Sequence, residues 1–288
     1  MSVVITVMNM KGGVGKTTVA MHLGGMFGRY AFDDEARRKV LLIDYDPQFN
    51  LSQAFLPASL YFSLEAQRKT TISILLDDDS KLDPYHLQVP GNEIPPKVED
   101  IATPIYKYKD GGLDLVPSTL DLMYVALGQT DNQIKPIEER FEKFIAQCKL
   151  IYDIILIDCH PAGSLFTKTS LRNSDHVLIP VTPQRYAVRG IGLMMKFIKA
   201  KKQGTKGPTS HILFNGTPRF GIASEESAIR ANPEYTAHCM TNTLKWYGAF
   251  GEPEDGKNFV WTSGKPYSTQ AFRNLLLVSQ EFFKKIGA

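Results

Sequence analysis

The feature that most constrains this chain is a glycine-rich run, MKGGVGKTT, at residues 10–18. An apolar, β-branched segment from Val3 to Met8 precedes it, and apolar residues at helical spacing follow it. A strand, a glycine-rich loop and a helix in this order form the setting in which backbone amides bind phosphate. Glycine permits the left-handed backbone and the close approach of an anion that such a loop requires. The run therefore predicts a phosphate-binding loop.

Two side chains of this loop carry specific chemistry. Lys16 is placed to reach the β- and γ-phosphates of a nucleotide, and the Thr17 hydroxyl is placed to bind Mg²⁺. The alternative is a glycine turn with solvated lysines. A run of this length between a strand and a helix is far more specific than a bare GK[ST] tripeptide, so we interpret it as a nucleotide site.

Composition places the chain among ordinary globular proteins. Its 288 residues suffice for one large α/β domain, and 43 % of them are apolar and 22 % charged. A net charge of +3 is too small to indicate nucleic acid by itself. The three cysteines, Cys148, Cys159 and Cys239, form no metal-ligand pair or disulfide framework, and no signal-peptide pattern is seen. We expect a cytoplasmic protein in a reducing compartment.

Aspartates follow two short, continuous apolar runs of the kind that form buried parallel strands. Asp44 and Asp46 follow the run at 40–43, and Asp158 follows the run at 154–157. Because ligands of open α/β sheets bind beyond the carboxyl ends of the strands, we expect these carboxylates near the phosphate loop. Asp158 fits the arrangement in which a strand-end carboxylate holds Mg²⁺ through water. For Asp44 and Asp46, a pair of turn carboxylates is the alternative.

Lys11, which precedes the glycines, sets this loop apart from the ordinary phosphate-loop pattern. The loop, the DYDPQFN motif at 44–50 and the strand-end Asp158 together resemble the ParA/MinD family of P-loop ATPases, most of all the Soj-like ParA DNA-partitioning ATPases. The resemblance implies an α/β fold of the P-loop NTPase type, a doubly wound, mostly parallel sheet flanked by helices on both faces. It also implies ATP and Mg²⁺ as cofactors.

The resemblance assigns catalytic and metal-binding roles. Lys11 is expected to cross a dimer interface to the nucleotide held by the partner subunit. Asp46 is expected to position or activate the attacking water. Thr17, Asp44 and Asp158 are expected to surround the metal. The implied catalytic set is Lys11, Lys16 and Asp46.

The resemblance also assigns a site for the base. Asn215, which follows a later apolar run, is expected to read the adenine edge, with the loop at 216–218 packing on the base. The alternative is that Asn215 caps a turn. The implied nucleotide-binding set is Lys11, Gly12, Gly13, Val14, Gly15, Lys16, Thr17, Thr18, Asn215 and Pro218.

Parts of the chain depart from the family pattern. His160 stands where relatives usually carry proline, and we favour a loop residue over a catalytic histidine. Gly163 and the start of the next helix are expected to form a switch that senses the γ-phosphate. Residues 57–112 are rich in proline and are predicted to be an irregular insertion within a single domain at 1–288. The insertion is interpreted either as a system-specific contact surface or as a tolerated surface feature.

A lysine-rich helix is predicted at about 187–203. Its lysines at 196, 199 and 202 fall on neighbouring faces, and no acidic residue interrupts 196–206. ParA relatives bind DNA non-specifically through basic residues in corresponding regions, and lysine suits phosphate without base readout. A solvated helix face is the alternative. The expected DNA-binding residues are Lys196, Lys199, Lys202, Arg219 and Arg230.

The resemblance thus implies a slow ATP hydrolase that works as a dimerisation switch. Its homodimer in the ATP state would bind non-specific DNA, associate with the nucleoid, and serve plasmid or chromosome partitioning or cargo positioning. A ParB-like or cargo-adaptor protein would stimulate hydrolysis. The alternative, a MinD-like membrane-cycling ATPase, requires a separable amphipathic tail, whereas the helix expected at 271–286 is predicted to be committed to the core. An iron–sulfur ATPase of the same superfamily would require interface cysteines with suitable neighbours, which the sequence does not offer.

Overall fold

The computed structural model describes residues 2–32, 36–78, 82–83, 88–125, 131–159, 165–200, 207–251 and 259–288. Across these residues it has the predicted α/β architecture, one eight-stranded, mostly parallel sheet covered by helices on both faces. The predicted fold class is therefore confirmed.

Eight strands form a single sheet. They are β1 (Val3–Val7), β2 (Lys39–Tyr45), β3 (Thr103–Tyr108), β4 (Gly111–Val116), β5 (Ile154–Cys159), β6 (His176–Val181), β7 (Thr209–Thr217) and β8 (Leu244–Lys245). Their order across the sheet is β3-β4-β2-β5-β1-β6-β7-β8. The edge strand β3 runs antiparallel to β4, whereas all other neighbours are parallel.

Helices connect most of these strands. They are α1 (Lys16–Arg29), α2 (Asn50–Phe55), α3 (Ala58–Ala66), α4 (Ile72–Leu75), α5 (Val98–Ile101), α6 (Leu122–Val125), α7 (Asp131–Cys148), α8 (Leu165–Asn173), α9 (Ala187–Ala200), α10 (Ser224–Ala231) and α11 (Ser268–Ile286). Short 3₁₀ turns occur at Thr236–His238 and Gly248–Phe250.

Apolar side chains form one layer on each face of the sheet. On one face α7, α8 and α9 contribute Phe144, Phe166 and Met194. On the other face α1 and α11 meet through Phe27 and Phe282, whose stacked rings lie 6.4 Å apart between centroids. Because both faces are covered, the central strands read as continuous apolar runs rather than alternating ones.

The register of the central strands sets the positions of the polar strand ends. β5 pairs with both β1 and β2, so Val7 and Asp44 each lie opposite Asp158. The loop after β1 and the carboxylates after β2 and β5 therefore meet at one edge of the sheet. This carboxyl edge is where ligands of open α/β sheets bind.

The segment at 57–112 is more regular than predicted. Its described residues include α3, α4, α5 and the edge strand β3, and Ile74, Leu75, Val98 and Ile101 are buried in the layer that contains α7. Within this segment α4 spans only Ile72–Leu75. Helices of four residues are too short to show a helical period, which explains why the pattern did not reveal α5.

The last helix, α11, packs into the core as the sequence predicted. Leu275, Phe283 and Ile286 are buried, whereas Phe272 and Leu276 are only partly buried. Its apolar face is therefore not a free amphipathic surface. None of the described helices combines the length and the apolar character needed to cross a bilayer. Because every described strand belongs to one sheet, we propose that the chain forms a single domain.

Candidate nucleotide-binding site

The loop between β1 and α1 has the geometry that its glycines predict. Gly13 and Gly15 adopt left-handed conformations, with φ of 71° and 82°, which glycine tolerates without strain. At Gly15 there is no room for a side chain, because a Cβ would lie 2.3 Å from Nδ2 of Asn215. No described atom lies within 4 Å of a Cβ at Gly12 or Gly13, so this side of the loop is open. α1 begins at Lys16, and its first free amides face the loop.

A cavity of about 230 Å³ lies over this loop. Lys16 and Thr17 line it from α1, and Asp46 lines it from the turn after β2. The structure thus brings together three predicted residues from two separate parts of the chain. The lining residues are Gly12, Gly13, Gly15, Lys16, Thr17, Asp46, Gln48 and Asn50.

Sequence reasoning gave no role to Gln48 and Asn50, which also line the cavity. The turn that carries them is fixed by a hydrogen bond from the backbone N–H of Gln48 to Oδ1 of Asp46, at 2.9 Å. Phe49 is left-handed, with φ of 44°, and its ring stacks on Tyr61 with 5.1 Å between centroids. The DYDPQFN motif could have indicated these two residues, because its polar side chains lie in this turn.

Asp44 is fully buried, and both of its carboxylate oxygens accept hydrogen bonds from the chain. Oδ2 accepts from the backbone N–H of Ser52 at 2.8 Å and from the Ser52 hydroxyl at 2.6 Å. Oδ1 accepts from the backbone N–H of Asp46 at 3.3 Å. Burial, together with the charge of Asp158, raises the pKa of Asp44 well above its usual value. These bonds fasten α2 to the end of β2. Neither Asp44 nor Asp158 is among the residues that line the cavity, and the expected place of Asp44 near the metal stays a prediction.

Asp158 is equally buried, yet neither of its carboxylate oxygens has a hydrogen-bond partner of standard geometry among the described residues. Burial raises its pKa to about 7, although the nearby Thr17 hydroxyl and the Lys16 ammonium lower that pKa in part. A buried carboxylate in need of a partner, beside a hydroxyl and a phosphate loop, suits Mg²⁺. This ion is commonly held by one or two carboxylates together with phosphate oxygens and waters.

The described residues contain no cluster of three or more His, Cys, Asp or Glu side chains placed to bind a metal ion. An ion held by protein ligands alone would require such a cluster. The residues present therefore fit a Mg²⁺ ion that arrives with a phosphate ligand and takes a hydroxyl and one carboxylate from the chain.

Lys11 is not among the residues that line the cavity. Its ammonium Nζ donates to Oε1 of Gln184, between β6 and α9, at 2.9 Å. The backbone N–H of Lys11 donates to Oδ1 of Asn9 at 3.0 Å, and Nδ2 of Asn9 donates to the carbonyl of Pro180 at 2.7 Å. The start of the loop is thus fastened to β6, and the Lys11 side chain lies outside the cavity of its own chain.

A family model described as an AAA domain, AAA_31, matches residues 2–208, which is well over half of the chain. The chain belongs to this family. Together with the Soj and ParA relatives, this match shows a P-loop ATPase of the ParA/Soj type.

Two relatives illustrate the extent of the similarity. An uncharacterised protein of Methanocaldococcus jannaschii, MJECL24, is 34 % identical over 211 residues, which cover 73 % of this chain and 71 % of that protein. The chromosome-partitioning ATPase Soj of Treponema pallidum is 30 % identical over 196 residues, covering 68 % of this chain and 63 % of Soj. The match to Soj therefore leaves more than a third of that protein unmatched.

Solved structures share the fold over the whole length. A Borrelia burgdorferi protein described as a plasmid partition protein, with AMPPNP bound, has a TM-score of 0.65 at 23 % identity and covers 99 % of both chains. The pNOB8 ParA structure has a TM-score of 0.67 at 17 % identity and covers 100 % of this chain and 99 % of that one.

Asn215, at the end of β7, contacts the phosphate loop of this ParA/Soj-type site. Its Nδ2 donates to the carbonyl of Val14 at 2.9 Å, in the space that Gly15 leaves free. Pro218 is exposed just beyond the strand, and Thr18 is half-buried in the first turn of α1. The contact couples β7 to the loop, and the role of Asn215 towards adenine stays a prediction.

The predicted basic surface is only partly on α9. Lys196 and Lys199 are exposed there, and sequence reasoning missed Arg185 and Arg189, which are exposed at the start of the same helix or just before it. None of these four residues forms an ion pair with a described carboxylate. These cationic side chains therefore face the solvent without direct ion pairs to described carboxylates, although Glu234 lines the same cavity as Arg189, Lys196 and Lys199.

Arg230 and Arg219 are held within the fold. Arg230 donates to Glu226 at 2.8 Å and to the carbonyl of Met240 at 2.8 Å, and its guanidinium lies 4.7 Å from the Phe214 ring centroid. Arg219 lies over aromatic rings and donates to a backbone carbonyl. Both arginines therefore already have partners within the fold, and their role in DNA binding stays a prediction.

Three residues discussed from the sequence, His160, Gly163 and Lys202, lie outside the described residues. The expectations for the histidine, the γ-phosphate switch and the third lysine therefore stay predictions.

Proposed function

We propose that this protein is a ParA-like ATPase that works as an ATP-dependent dimerisation switch. The observation that carries the proposal is the position of Lys11, whose ammonium lies on Gln184 outside the cavity of its own chain. The cavity of about 230 Å³ is also smaller than the pockets of roughly 300–1,000 Å³ that usually enclose a ligand the size of a nucleoside triphosphate. One chain therefore covers a nucleoside triphosphate only in part, and a second copy that lends its Lys11 would close the site.

The chain supplies the groups that phosphoryl transfer needs. The open amides of the loop and Lys16 bind the phosphates, and Asp46 at the cavity wall orients the attacking water. Lys16 and the Lys11 of the second copy stabilise the charge that develops on the transferred group. Thr17 and Asp158 would hold Mg²⁺, which would supply further neutralisation of phosphate charge. Asp44 acts indirectly, because it anchors the turn that carries Asp46.

ATP is the nucleotide we propose, since the Borrelia burgdorferi protein of the same fold binds AMPPNP. Among the described residues that line the cavity there is no arginine that could speed hydrolysis from within the chain. Slow turnover follows, and it allows the bound dimer to persist until a ParB-like protein or a cargo adaptor stimulates hydrolysis. Plasmid or chromosome partitioning, or cargo positioning, is the role that fits the names of the relatives.

The DNA-binding surface we propose is the exposed face of α9. It includes Lys196, Lys199 and the predicted Lys202, and we add Arg185 and Arg189. These side chains match a phosphate backbone and offer no defined base readout.

The switch is tested with the Asp46→Ala variant, which is expected to bind ATP and Mg²⁺ without hydrolysing it. Sedimentation velocity should show a dimer with ATP and a monomer with ADP. Adding Lys11→Ala should leave ATP binding measurable and abolish the dimer. If the Asp46→Ala protein stays monomeric when it is saturated with ATP, the proposed switch is wrong.

The DNA surface is tested by reversing charge. The double variant Lys196→Glu and Lys199→Glu should lose DNA binding and keep ATP-dependent dimerisation. Lys107→Glu with Lys109→Glu, two exposed lysines at or just beyond the distant edge strand β3, is the matched control and should behave like wild type. If each dimer neutralises about six to ten phosphates, log affinity should fall with log salt at a slope near −5 to −9. A flat salt dependence would count against DNA as the ligand.

A further inference from the structure

Tyr45 and Cys159 are the last residues of β2 and β5. They lie opposite each other in the sheet register, and each directly follows one of the two buried carboxylates, Asp44 and Asp158. Because side chains alternate along a strand, both point away from those carboxylates. They are fully buried in the apolar layer that contains α7 and α8. Beyond Tyr45 the chain leaves the sheet, and the next residue is Asp46.

The ring and the hydroxyl of Tyr45 are held separately. The ring stacks on Phe141 of α7 with 4.8 Å between centroids, and Phe166 of α8 meets it edge-on at the same distance. The hydroxyl lies 3.0 Å from Oγ1 of Thr169 in α8. The Thr169 hydroxyl donates its single proton to the carbonyl of Leu165 at 2.9 Å, so its oxygen accepts from Tyr45. Burial raises the pKa of Tyr45, which keeps its hydroxyl a donor.

The next residue of α8 makes a similar contact to β5. Sγ of Cys159 lies 3.3 Å from Oγ of Ser170, whose hydroxyl donates to the carbonyl of Phe166 at 2.6 Å. Burial raises the pKa of the Cys159 thiol to about 12, so the thiol stays protonated. A thiol is a weak donor, which makes the Tyr45 contact the stronger of the two. Two successive side chains of α8 thus bind the last residues of two neighbouring strands.

The contact of Tyr45 lies directly beside a residue of the cavity. Tyr45 shares a peptide bond with Asp46, which lines the cavity wall. The carbonyl of Asp46 accepts from the Ser118 hydroxyl at 2.7 Å, so the main chain is also held after this residue. If the end of β2 loosened, the main chain at Asp46 could shift. A shift of about 1 Å in a positioned group can cost about a hundredfold in rate.

We propose that the Tyr45 hydroxyl is a positioning group for ATP hydrolysis, because its bond to Thr169 seats the end of β2 against α8 and thereby aims Asp46 at the attacking water. The inference rests on the proposed role of Asp46. Tyr45 does not line the cavity, so it acts through that neighbour. Since Phe141 and Phe166 already hold the ring, the hydroxyl can be removed with the packing intact.

The test is Tyr45→Phe, which keeps the ring and removes the hydroxyl. The turnover number at saturating ATP, measured by phosphate release, should fall about tenfold, whereas KM for ATP should stay within about twofold of wild type because the phosphate loop is unaltered. Thr169→Val removes the acceptor oxygen and should give the same loss, whereas Thr169→Ser keeps that oxygen and should retain wild-type turnover. Because both changes break one bond, Tyr45→Phe with Thr169→Val should be no slower than either variant alone.

Tyr152→Phe is the matched control. Tyr152 is also buried, and its hydroxyl donates to Oδ2 of Asp114 at 2.6 Å, but it lies before β5, at the opposite edge of the sheet. Both Tyr→Phe variants should lower the midpoint of urea unfolding, and only Tyr45→Phe should lower turnover. Equal losses of turnover would show general destabilisation and overturn the inference. A Thr169→Ser protein as slow as Thr169→Val would also overturn it, since packing rather than the hydroxyl would then matter.

Asp46→Ala distinguishes failure of the inference from failure of the proposed function. In the Asp46→Ala background, Tyr45→Phe should leave the dissociation constant for ATP and the ATP-dependent dimer unchanged. A loss of either would show that the hydroxyl supports binding rather than the chemical step, and would overturn the inference. If Asp46→Ala is inactive and Tyr45→Phe turns over like wild type, only the inference fails. If Asp46→Ala itself hydrolyses ATP at the wild-type rate, the proposed role of Asp46 is wrong and the inference falls with it.

Discussion

The ends of β2 and β5 present two carboxylates that lie opposite each other in register and are equally buried, but differ in their hydrogen bonds. Asp44 receives three hydrogen bonds from the chain. Asp158, directly opposite, receives none of standard geometry from the described residues. Both pKa values are raised, first by burial. The fold therefore satisfies one carboxylate with several hydrogen bonds and leaves its neighbour, within the described part of the chain, with only the Thr17 hydroxyl and the Lys16 ammonium nearby.

This difference separates a structural role from a ligand-binding one. The bonds of Asp44 position α2 and the turn that carries Asp46, so its carboxyl group has a structural role in the folded protein. A buried carboxylate with so few hydrogen bonds is costly, and in a native site a bound ion or water commonly supplies the missing contacts. The comparison predicts that substitutions at the two positions will have opposite consequences for activity and stability.

The largest expected effect is on hydrolysis. Asp158→Asn should lower the turnover number at saturating ATP by about a hundredfold to a thousandfold, the range for loss of one electrostatic contact to the reacting group. Asp44→Asn retains an acceptor oxygen for Ser52 and should lower turnover by less than tenfold. Phosphate release measured across a Mg²⁺ titration checks both values. Equal losses in the two variants would contradict the division of roles.

The second effect is a pH dependence of stability without nucleotide. The pKa of Asp158 is about 7 in the folded protein and close to 3.9 in the unfolded chain. Between these values the folded state binds a proton that the unfolded state lacks, so this carboxylate makes stability fall as pH rises from about 4 to about 7. Asp158→Asn removes the effect, and its advantage over wild type should grow across that window to at most about 4 kcal/mol.

Urea unfolding of both proteins between pH 5 and pH 8 provides the measurement, in the absence of Mg²⁺ and nucleotide. Asp44 remains in both proteins, but the charge of Asp158 raises the pKa of Asp44, so the difference reports the titration of the coupled pair. A difference that stays constant with pH would show that the Asp158 carboxyl does not titrate in this range.

The sequence predicted which residues meet at the site, but not how their carboxylates are hydrogen-bonded. Lys16, Thr17 and Asp46 meet at one cavity as expected, because their motifs stand next to strand ends and parallel strands share a carboxyl edge. The distinction between Asp44 and Asp158 was not predictable, since it depends on a hydrogen bond to Ser52 that no motif encodes. Likewise Asn215 reaches Val14 across 201 positions of the chain. A sequence shows which residues are charged or polar, whereas tertiary packing determines their hydrogen-bond partners.

The smallest effect concerns Ser52 and sharpens the structural side of the comparison. Its hydroxyl donates to Asp44 at 2.6 Å and accepts from the backbone N–H of Ser118 at 2.8 Å, all in the buried interior. Ser52→Ala leaves both groups short of a partner and should lower the free energy of unfolding by about 1–3 kcal/mol. Ser63→Ala, at an exposed position of α3, is the control and should stay within about 0.5 kcal/mol of wild type in urea unfolding. If Ser52→Ala instead leaves stability intact and abolishes Mg²⁺-dependent hydrolysis, Asp44 acts with the metal site, and the contrast with Asp158 is lost.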